Sequence, residues 1–164
     1  MAAEQSTAPL RLAREGEPRV RRDSVSFPKE GVVLDMIPKP FPQSFWIHDR
    51  LLCAGCYPGD EDPAIRDAKL RGLLDCGIRR VMSLMGATER GRGGRPFEPY
   101  VPRLQQLAKK RNVVVECLSL PLPDACAPAA EDLEEVLEKI EMGLREQTPT
   151  YLHCWGGHGR TGTV

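Results

Sequence analysis

The chain has 164 residues, and its 23 lysines and arginines balance its 23 aspartates and glutamates, so the formal net charge at neutral pH is zero. This balance excludes the strong positive field that draws proteins to nucleic acids, and we expect no nucleic-acid partner. No apolar run approaches the roughly 18 residues of a membrane span, and no apolar leader follows Met1, so neither a span nor export is predicted. The six cysteines are then predicted to be reduced thiols in the cytoplasm.

Residues 1–43 are predicted to be a disordered tail. They carry prolines and mixed charges with little hydrophobic periodicity, so they cannot bury enough apolar surface to fold alone. Arg21 and Arg22 precede Ser24 in a pattern that would suit a basophilic kinase, although such short charged patterns are usually solvated tail. The remaining residues, 44–164, are predicted to form one folded domain.

The first half of this domain is predicted to begin with a hairpin. Residues 45–47 and 51–55 are rich in apolar residues and predict two short strands. Asp62 followed by proline is typical of a helix start, and the leucine spacing that follows predicts a helix over 63–75. An apolar run over 78–85 predicts the next strand.

Residues 86–98 are predicted to form a loop, because they contain four glycines and three arginines, which are Arg90, Arg92 and Arg95. One interpretation is a mobile surface connection. The other is a flexible basic rim that meets an anionic substrate.

The second half of the chain alternates helices and strands. Its predicted elements are a helix over 99–111, a strand over 113–118, a proline-rich loop over 121–128, a helix over 130–146 and a strand over 150–153. The helix over 130–146 has an apolar stripe at helical spacing, formed by Leu133, Val136, Leu137, Ile140 and Leu144. This alternation predicts an α/β fold with a central, mostly parallel sheet and helices on both faces.

The segment over 153–162, HCWGGHGRTG, has the pattern of a strand end, a tight loop and a helix start. Its glycines, Gly156, Gly157 and Gly159, allow the backbone N–H groups to surround an anion, and phosphate is the anion that we expect. Arg160 has a planar fork that can hold two phosphate oxygens. Cys154 lies at the base of this loop, where the same donors would stabilise a nucleophilic thiolate.

The residues His153, Cys154, Gly157, Arg160 and Thr161 match H-C-x-x-G-x-x-R-[S/T], and the segment resembles the signature of the protein-tyrosine phosphatase superfamily, in particular its dual-specificity-type branch. The resemblance implies that Cys154 attacks phosphorus, that Arg160 holds the equatorial oxygens and that Thr161 helps the thiolate to leave. It also implies a tyrosine phosphatase-like fold with the phosphate-binding loop at the carboxyl edge of the sheet. Rhodanese-type sulfur transfer uses a similar loop, but the Arg160-Thr161-Gly162 ending favours the phosphatase.

Asp124 is the predicted general acid. It lies on a loop that follows a strand, so a parallel sheet would bring it to the same edge as Cys154. The resembling family places its general acid on this loop at about this spacing, as acid in the first step and base in the second. Around the signature, Trp155 is predicted to wall the pocket, His158 to add charge toward the ligand, and His153 to orient the loop.

The other cysteines give weaker signals. Cys53 and Cys56 form a C-x-x-C pair with no second pair or histidine cluster, so packing is preferred over zinc and no metal site is predicted. Cys126 lies two residues from Asp124 and could trap oxidised Cys154 as a disulfide, although a buried filler role is the simpler interpretation. No cofactor is expected.

The sequence therefore predicts hydrolysis of phosphotyrosine in proteins, and of phosphoserine or phosphothreonine as a possible extension, through a phosphocysteine. Two alternatives stay open: a phosphatase for phosphoinositides or other small phosphate esters, and an inactive phosphate-binding fragment. The chain ends at Val164, four positions past Arg160, where the resembling family continues with further helices. We therefore expect a domain that lacks its C-terminal part, while the oligomeric state stays open.

Overall fold

Across the residues that the structure describes, the sheet has five strands, and every pairing except the first is parallel. A computed structural model describes residues 37–91 and 93–164. Its strands are β1 Ser44–His48, β2 Leu52–Gly55, β3 Arg80–Ser83, β4 Glu116–Ser119 and β5 Thr150–His153. Their order is β1-β2-β5-β3-β4, with β1 antiparallel to β2. The carboxyl end of the central strand β5 therefore opens directly onto Cys154.

Helices cover both faces of this sheet, which confirms the predicted α/β architecture. They are α1 Pro63–Asp75, α2 Val101–Lys110, α3 Ala130–Arg145 and α4 Arg160–Thr163. One apolar cluster joins α1 and α2 to the sheet and includes Leu70, Leu104 and Tyr151. The other joins α3 to the opposite face and includes Val136 and Leu152. Alternation along β5 sends Tyr151 to one cluster and Leu152 to the other, as the two-residue period of a strand requires.

Helix α1 begins and ends as predicted. The Asp62 carboxylate accepts a hydrogen bond from the Ala64 N–H at 2.8 Å, and Pro63 lies at the first helical position, where it loses no backbone bond. At the other end, Gly77 has a φ of +82°, which favours glycine.

Two predicted strands are too long. The strand predicted over 78–85 is only Arg80–Ser83, although Ile78 and Leu84 on either side of it are completely buried. The strand predicted over 113–118 begins only at Glu116. The valines before it follow the end of α2, where the Val113 N–H donates to the Ala108 carbonyl at 3.1 Å and Val114 is 85% exposed.

The helix boundaries differ less. Helix α2 begins at Val101 rather than at 99, and α3 ends at Arg145. In the predicted stripe of α3, Val136 and Ile140 are buried, but Leu137 is 43% exposed. The stripe is therefore narrower than its sequence suggests.

The packed part of the chain reaches N-terminal to β1. Phe41, which the sequence placed in the tail, is buried and meets Tyr151 edge-on with ring centroids 5.7 Å apart. The rest of the predicted tail, including the segment around Ser24, lies outside the described residues and stays a prediction. Within the described ranges, no helix is long and apolar enough to cross a membrane.

Candidate active site

The loop after β5 turns sharply beneath Cys154. Gly157 has a φ of +78°, and a Cβ there would lie 2.5 Å from the Gly55 carbonyl carbon, so only glycine fits this position. The close approach lets the Gly157 N–H donate to the Cys154 sulfur at 3.3 Å. Tyr57 fixes the same loop from the neighbouring strand end, because its N–H donates to the Trp155 carbonyl at 2.9 Å.

The Cys154 thiol is buried, yet its surroundings lower its pKa. Burial alone raises this pKa. The hydroxyl and N–H of Thr161, the Gly157 N–H and the charge of Arg160 more than offset the effect of burial and hold the pKa below its ordinary value. The Thr161 hydroxyl oxygen is buried and has no well-formed hydrogen bond among the described residues. The predicted role of Thr161 in thiolate departure stays a prediction.

Arg160 is held from behind by Glu89. Its side chain is only 4% exposed, and its two terminal nitrogens donate to both carboxylate oxygens of Glu89. It also donates to the Leu84 carbonyl at 3.1 Å and more weakly to that of Leu122 at 3.4 Å. In this arrangement the guanidinium is fixed in one orientation beside the loop.

Glu89 is the site residue that sequence reasoning missed. Its own carboxylate also accepts the Gly86 N–H at 2.6 Å. The hydrogen bond from Arg160 holds the pKa of Glu89 below its ordinary value, against a smaller opposing effect of burial. The available signal was an acidic residue beside the arginines of the loop over 86–98, and nothing in the spacing distinguishes it from Glu98 in the same loop.

Asp124 approaches the remaining nitrogen of Arg160. Its carboxylate oxygen lies 3.4 Å from the Arg160 Nε, which is buried and makes no hydrogen bond within the described part of the chain. The Asp124 side chain is 65% exposed. The two loops thus meet at the carboxyl edge of the sheet, as predicted.

His153 lies completely buried beneath the loop. The Tyr100 hydroxyl lies 2.8 Å from its Nε2, and its Nδ1 lies 3.1 Å from the Cys154 carbonyl oxygen. Burial, with a contribution from the charge of Arg160, lowers the pKa of His153 to about 4, so the ring is neutral near pH 7. These contacts support the predicted orienting role.

The variable positions of the loop face solvent. Trp155, Gly156, His158 and Gly159 are all exposed, and Trp155 borders a cavity. In the loop over 86–98, Arg90 donates to the Gly94 carbonyl at 3.0 Å and Arg95 lies 3.5 Å from Glu61. Arg92 lies outside the described residues, so the basic rim stays a prediction.

The other cysteines are free thiols. Cys53 is buried and Cys56 partly buried, whereas Cys126 is exposed, so the interpretation of Cys126 as buried filler is wrong. The proposed trap of oxidised Cys154 by Cys126 stays a prediction. In the described ranges, no group of three or more histidine, cysteine or acidic side chains could hold a metal ion.

Family comparison agrees with this geometry. The model of the DSP-PTPase phosphatase domain of Swiss Army Knife proteins matches residues 57–164, which include Asp124 and the whole loop around Cys154. The chain belongs to this phosphatase family. The family predicted from the signature is therefore confirmed, while the roles of the individual site residues stay predictions.

Two curated proteins resemble parts of this phosphatase domain. Cyclin-dependent kinase inhibitor 3 of Sus scrofa is 30% identical over 90 residues, covering 54% of this chain and 38% of that protein. An uncharacterised protein of Methanocaldococcus jannaschii is 34% identical over 50 residues, covering 30% of this chain and 31% of its own length. The alignments thus span about a third of the length of these relatives.

Solved structures share the fold of the phosphatase domain. Tk-PTP in its active form is 30% identical, with a TM-score of 0.51, and the match covers 75% of this chain and 69% of Tk-PTP. The core catalytic domain of the PP-IP phosphatase SIW14 from S. cerevisiae has a TM-score of 0.52 at 14% identity, covering 74% of this chain and 61% of SIW14. At that identity, the likeness to SIW14 concerns the fold alone.

Proposed function

We propose that this domain hydrolyses phosphotyrosine in proteins, and extends to phosphoserine and phosphothreonine, through a phosphocysteine formed on Cys154. The observation that carries the proposal is a buried thiol of lowered pKa beside a fixed guanidinium whose Nε faces Asp124. Family membership supports a cysteine-based phosphatase. The phosphoprotein substrate is the finer part of the proposal.

In the proposed first step, the Cys154 thiolate attacks phosphorus, so a sulfur–phosphorus bond forms while the bond from phosphorus to the ester oxygen breaks. Asp124 in its protonated form gives its proton to the departing oxygen. Arg160 donates hydrogen bonds to the phosphoryl oxygens, whose charge it balances. In the second step, Asp124 takes a proton from water, the water oxygen attacks phosphorus, and the thiolate leaves with help from Thr161.

The test of the nucleophile is phosphate release from p-nitrophenyl phosphate with no metal added. Wild-type protein should release phosphate, and Cys154→Ser should release none because a neutral hydroxyl is a far weaker nucleophile than a thiolate. Cys126→Ser is the matched control, since this cysteine is exposed and lies on the nearby Asp124 loop. Equal release by wild type and Cys154→Ser would contradict the proposal.

The test of the general acid compares leaving groups. Asp124→Asn should lower kcat/KM, which reports the first step alone, by about 10² to 10⁴ for phenyl phosphate and by much less for p-nitrophenyl phosphate, because nitrophenolate leaves with little help from a proton. Asp49→Asn, an exposed aspartate in the turn after β1, serves as the control. An equal loss for both esters would argue against Asp124 as the acid.

Two alternatives remain to be separated from this proposal. The exposed His158 and the arginines of the loop over 86–98 motivate a phosphatase for phosphoinositides or other small phosphate esters. Turnover of phosphotyrosine peptides well above that of inositol phosphates would favour the protein substrate. A folded protein that binds phosphate without turnover would favour the inactive fragment. The cytoplasmic location also stays a proposal.

A further inference from the structure

A cavity of about 420 Å³ opens beside the catalytic loop. Three aromatic residues, Tyr57, Phe97 and Trp155, line it. Trp155 directly follows the nucleophile and is 38% exposed, so this wall begins within one residue of Cys154. The proposed reaction uses neither Phe97 nor the cavity.

The aromatic wall is held in place on both sides. The Phe97 ring lies 5.9 Å from the Trp155 ring and 5.0 Å from the Tyr57 ring, measured between centroids. The Tyr57 hydroxyl donates to the Glu98 carbonyl at 2.7 Å, which fixes the end of the loop that carries Phe97. An incoming side chain would meet a preformed surface, so little ordering free energy would oppose its binding.

The charged groups around the cavity are already paired. Lys69 lies 3.0 Å from Asp60, Arg95 lies 3.5 Å from Glu61, and Glu98 lies 3.7 Å from Arg66. Among the described lining residues, three acidic groups face two basic ones, and the third acidic group, Glu98, is balanced by Arg66 outside the lining, so the cavity has no excess of positive charge. Its chemistry therefore favours an apolar occupant over a phosphate group or an inositol phosphate.

We propose that this cavity is a subsite for an apolar side chain of the phosphorylated polypeptide, one or two residues from the phosphotyrosine. The inference rests on the proposed function. The phosphotyrosine side chain would hold the peptide backbone away from the base of the loop and toward the exposed Trp155. Because an extended peptide advances about 3.3 Å per residue, the one or two residues beside the phosphotyrosine are those that the cavity can receive. Leucine or phenylalanine at that position would bury apolar surface against Phe97.

The experiment measures kcat/KM for phosphotyrosine peptides that carry leucine, phenylalanine, alanine, aspartate or lysine at each of the two positions on either side. At one of these positions, kcat/KM for peptides with leucine or phenylalanine should exceed kcat/KM for the aspartate peptide by about tenfold or more, mainly because KM is lower. Phe97→Ala should remove this preference and leave p-nitrophenyl phosphate hydrolysis within about twofold, since that ester has no neighbouring residue. Phe45→Ala, which truncates a more exposed phenylalanine on β1, should change neither rate.

A second variant distinguishes the loss of the subsite from a purely structural effect on the loop. Phe97→Glu should reverse the preference, so that lysine becomes the best residue at the same position, and simple loosening of the loop cannot produce that reversal. The subsite is refuted if no position shows an apolar preference, or if Phe97→Ala lowers p-nitrophenyl phosphate and peptide hydrolysis equally. Wild-type protein that fails to hydrolyse p-nitrophenyl phosphate would instead refute the proposed function.

Discussion

At the scale of single residues, Glu89 sets the orientation of the Arg160 guanidinium, the group that we propose binds phosphate. A buried guanidinium can rotate about its last bonds unless acceptors fix it, and Glu89 fixes two of its nitrogens. The Nε is left to face the catalytic loop and Asp124. Glu89 thus acts as a positioning residue, because it acts through Arg160 and is not proposed to touch the substrate itself.

We predict that Glu89→Gln lowers kcat/KM for p-nitrophenyl phosphate by about 10- to 100-fold. A hydrogen bond to a charged group contributes about 1.5 to 3 kcal/mol, and the neutral amide can accept through only one oxygen. The loss should appear in both kcat and KM, since Arg160 binds the phosphoryl group in the ground state and in the transition state. Glu61→Gln, which removes an exposed partner of Arg95, is the control. A rate unchanged by Glu89→Gln would dismiss the positioning role.

His153 makes the stability of the domain depend on pH. In the unfolded chain this ring takes up a proton near pH 6.5, whereas in the folded protein its pKa is about 4. Between these values the unfolded state binds more protons, so stability is fully present above pH 6.5 and falls as the pH drops toward 4.

We predict that the lowered pKa of His153 reduces the unfolding free energy of the wild type by about 3 kcal/mol between pH 7 and pH 4. Urea unfolding at a series of pH values measures this loss. His153→Gln should be less stable at pH 7, because the hydrogen bond with Tyr100 changes. Its unfolding free energy should, however, fall less than that of the wild type as the pH is lowered. His48→Gln, at an exposed position on β1, should decline like the wild type. Parallel curves for His153→Gln and wild type would contradict the assignment.

The sequence could predict the residues of the signature because the loop is local. Cys154, Gly157 and Arg160 lie within seven positions, and their spacing specifies the chemistry. Asp124 could be predicted because a parallel sheet brings the two loops to one edge. Glu89 lies 71 positions before Arg160, and no spacing rule connects them. Such a pair becomes visible only when the fold brings the loop over 86–98 behind the guanidinium.

At the scale of elements, local chemistry explains which predictions held. Helix α1 was predicted with its observed boundaries because a capping aspartate and a proline mark its start. The strand boundaries were wrong at β3 because burial does not distinguish a paired strand from a buried connection, and at β4 because β-propensity alone does not show whether a valine pairs with a neighbouring strand. Ile78 is completely buried, yet its N–H completes the end of α1 by donating to the Leu73 carbonyl at 3.0 Å.

The two helices α1 and α3 differ at the N-cap residue that precedes each of them, and this difference gives a paired prediction. Asp62→Ala should lower the unfolding free energy by about 1 kcal/mol, because it removes the bond to the Ala64 N–H. Ala129 caps α3 with extended backbone and no side-chain hydrogen bond, so Ala129→Ser should raise the free energy by a similar amount. Urea unfolding measures both changes. Shifts of the same sign would contradict the capping argument.

At the scale of the whole molecule, the sheet separates the site from an ion cluster at its opposite edge. Arg80 begins β3, and its side chain is only 6% exposed. It donates to Glu116 of β4 at 2.6 Å and to Glu146 after α3 at 3.2 Å. The cluster joins the sheet to the end of α3. Ser83, at the other end of β3, pairs in register with His153, the residue just before Cys154.

We predict that replacing the two acidic partners of Arg80 lowers the unfolding free energy more than replacing Arg80 itself. In the double variant Glu116→Gln with Glu146→Gln, the buried guanidinium loses both charges that compensate it, and the unfolding free energy should fall by about 3 kcal/mol. Arg80→Met fills similar volume and leaves only half-exposed carboxylates behind, so its loss should be clearly smaller. The control is Glu131→Gln with Glu134→Gln, at exposed positions of α3. Urea unfolding ranks the variants, and a larger loss for Arg80→Met would mean that the packing of the side chain matters more than its compensated charge. Phosphate release per folded molecule should stay unchanged throughout, because the cluster lies at the opposite end of the strands from Cys154.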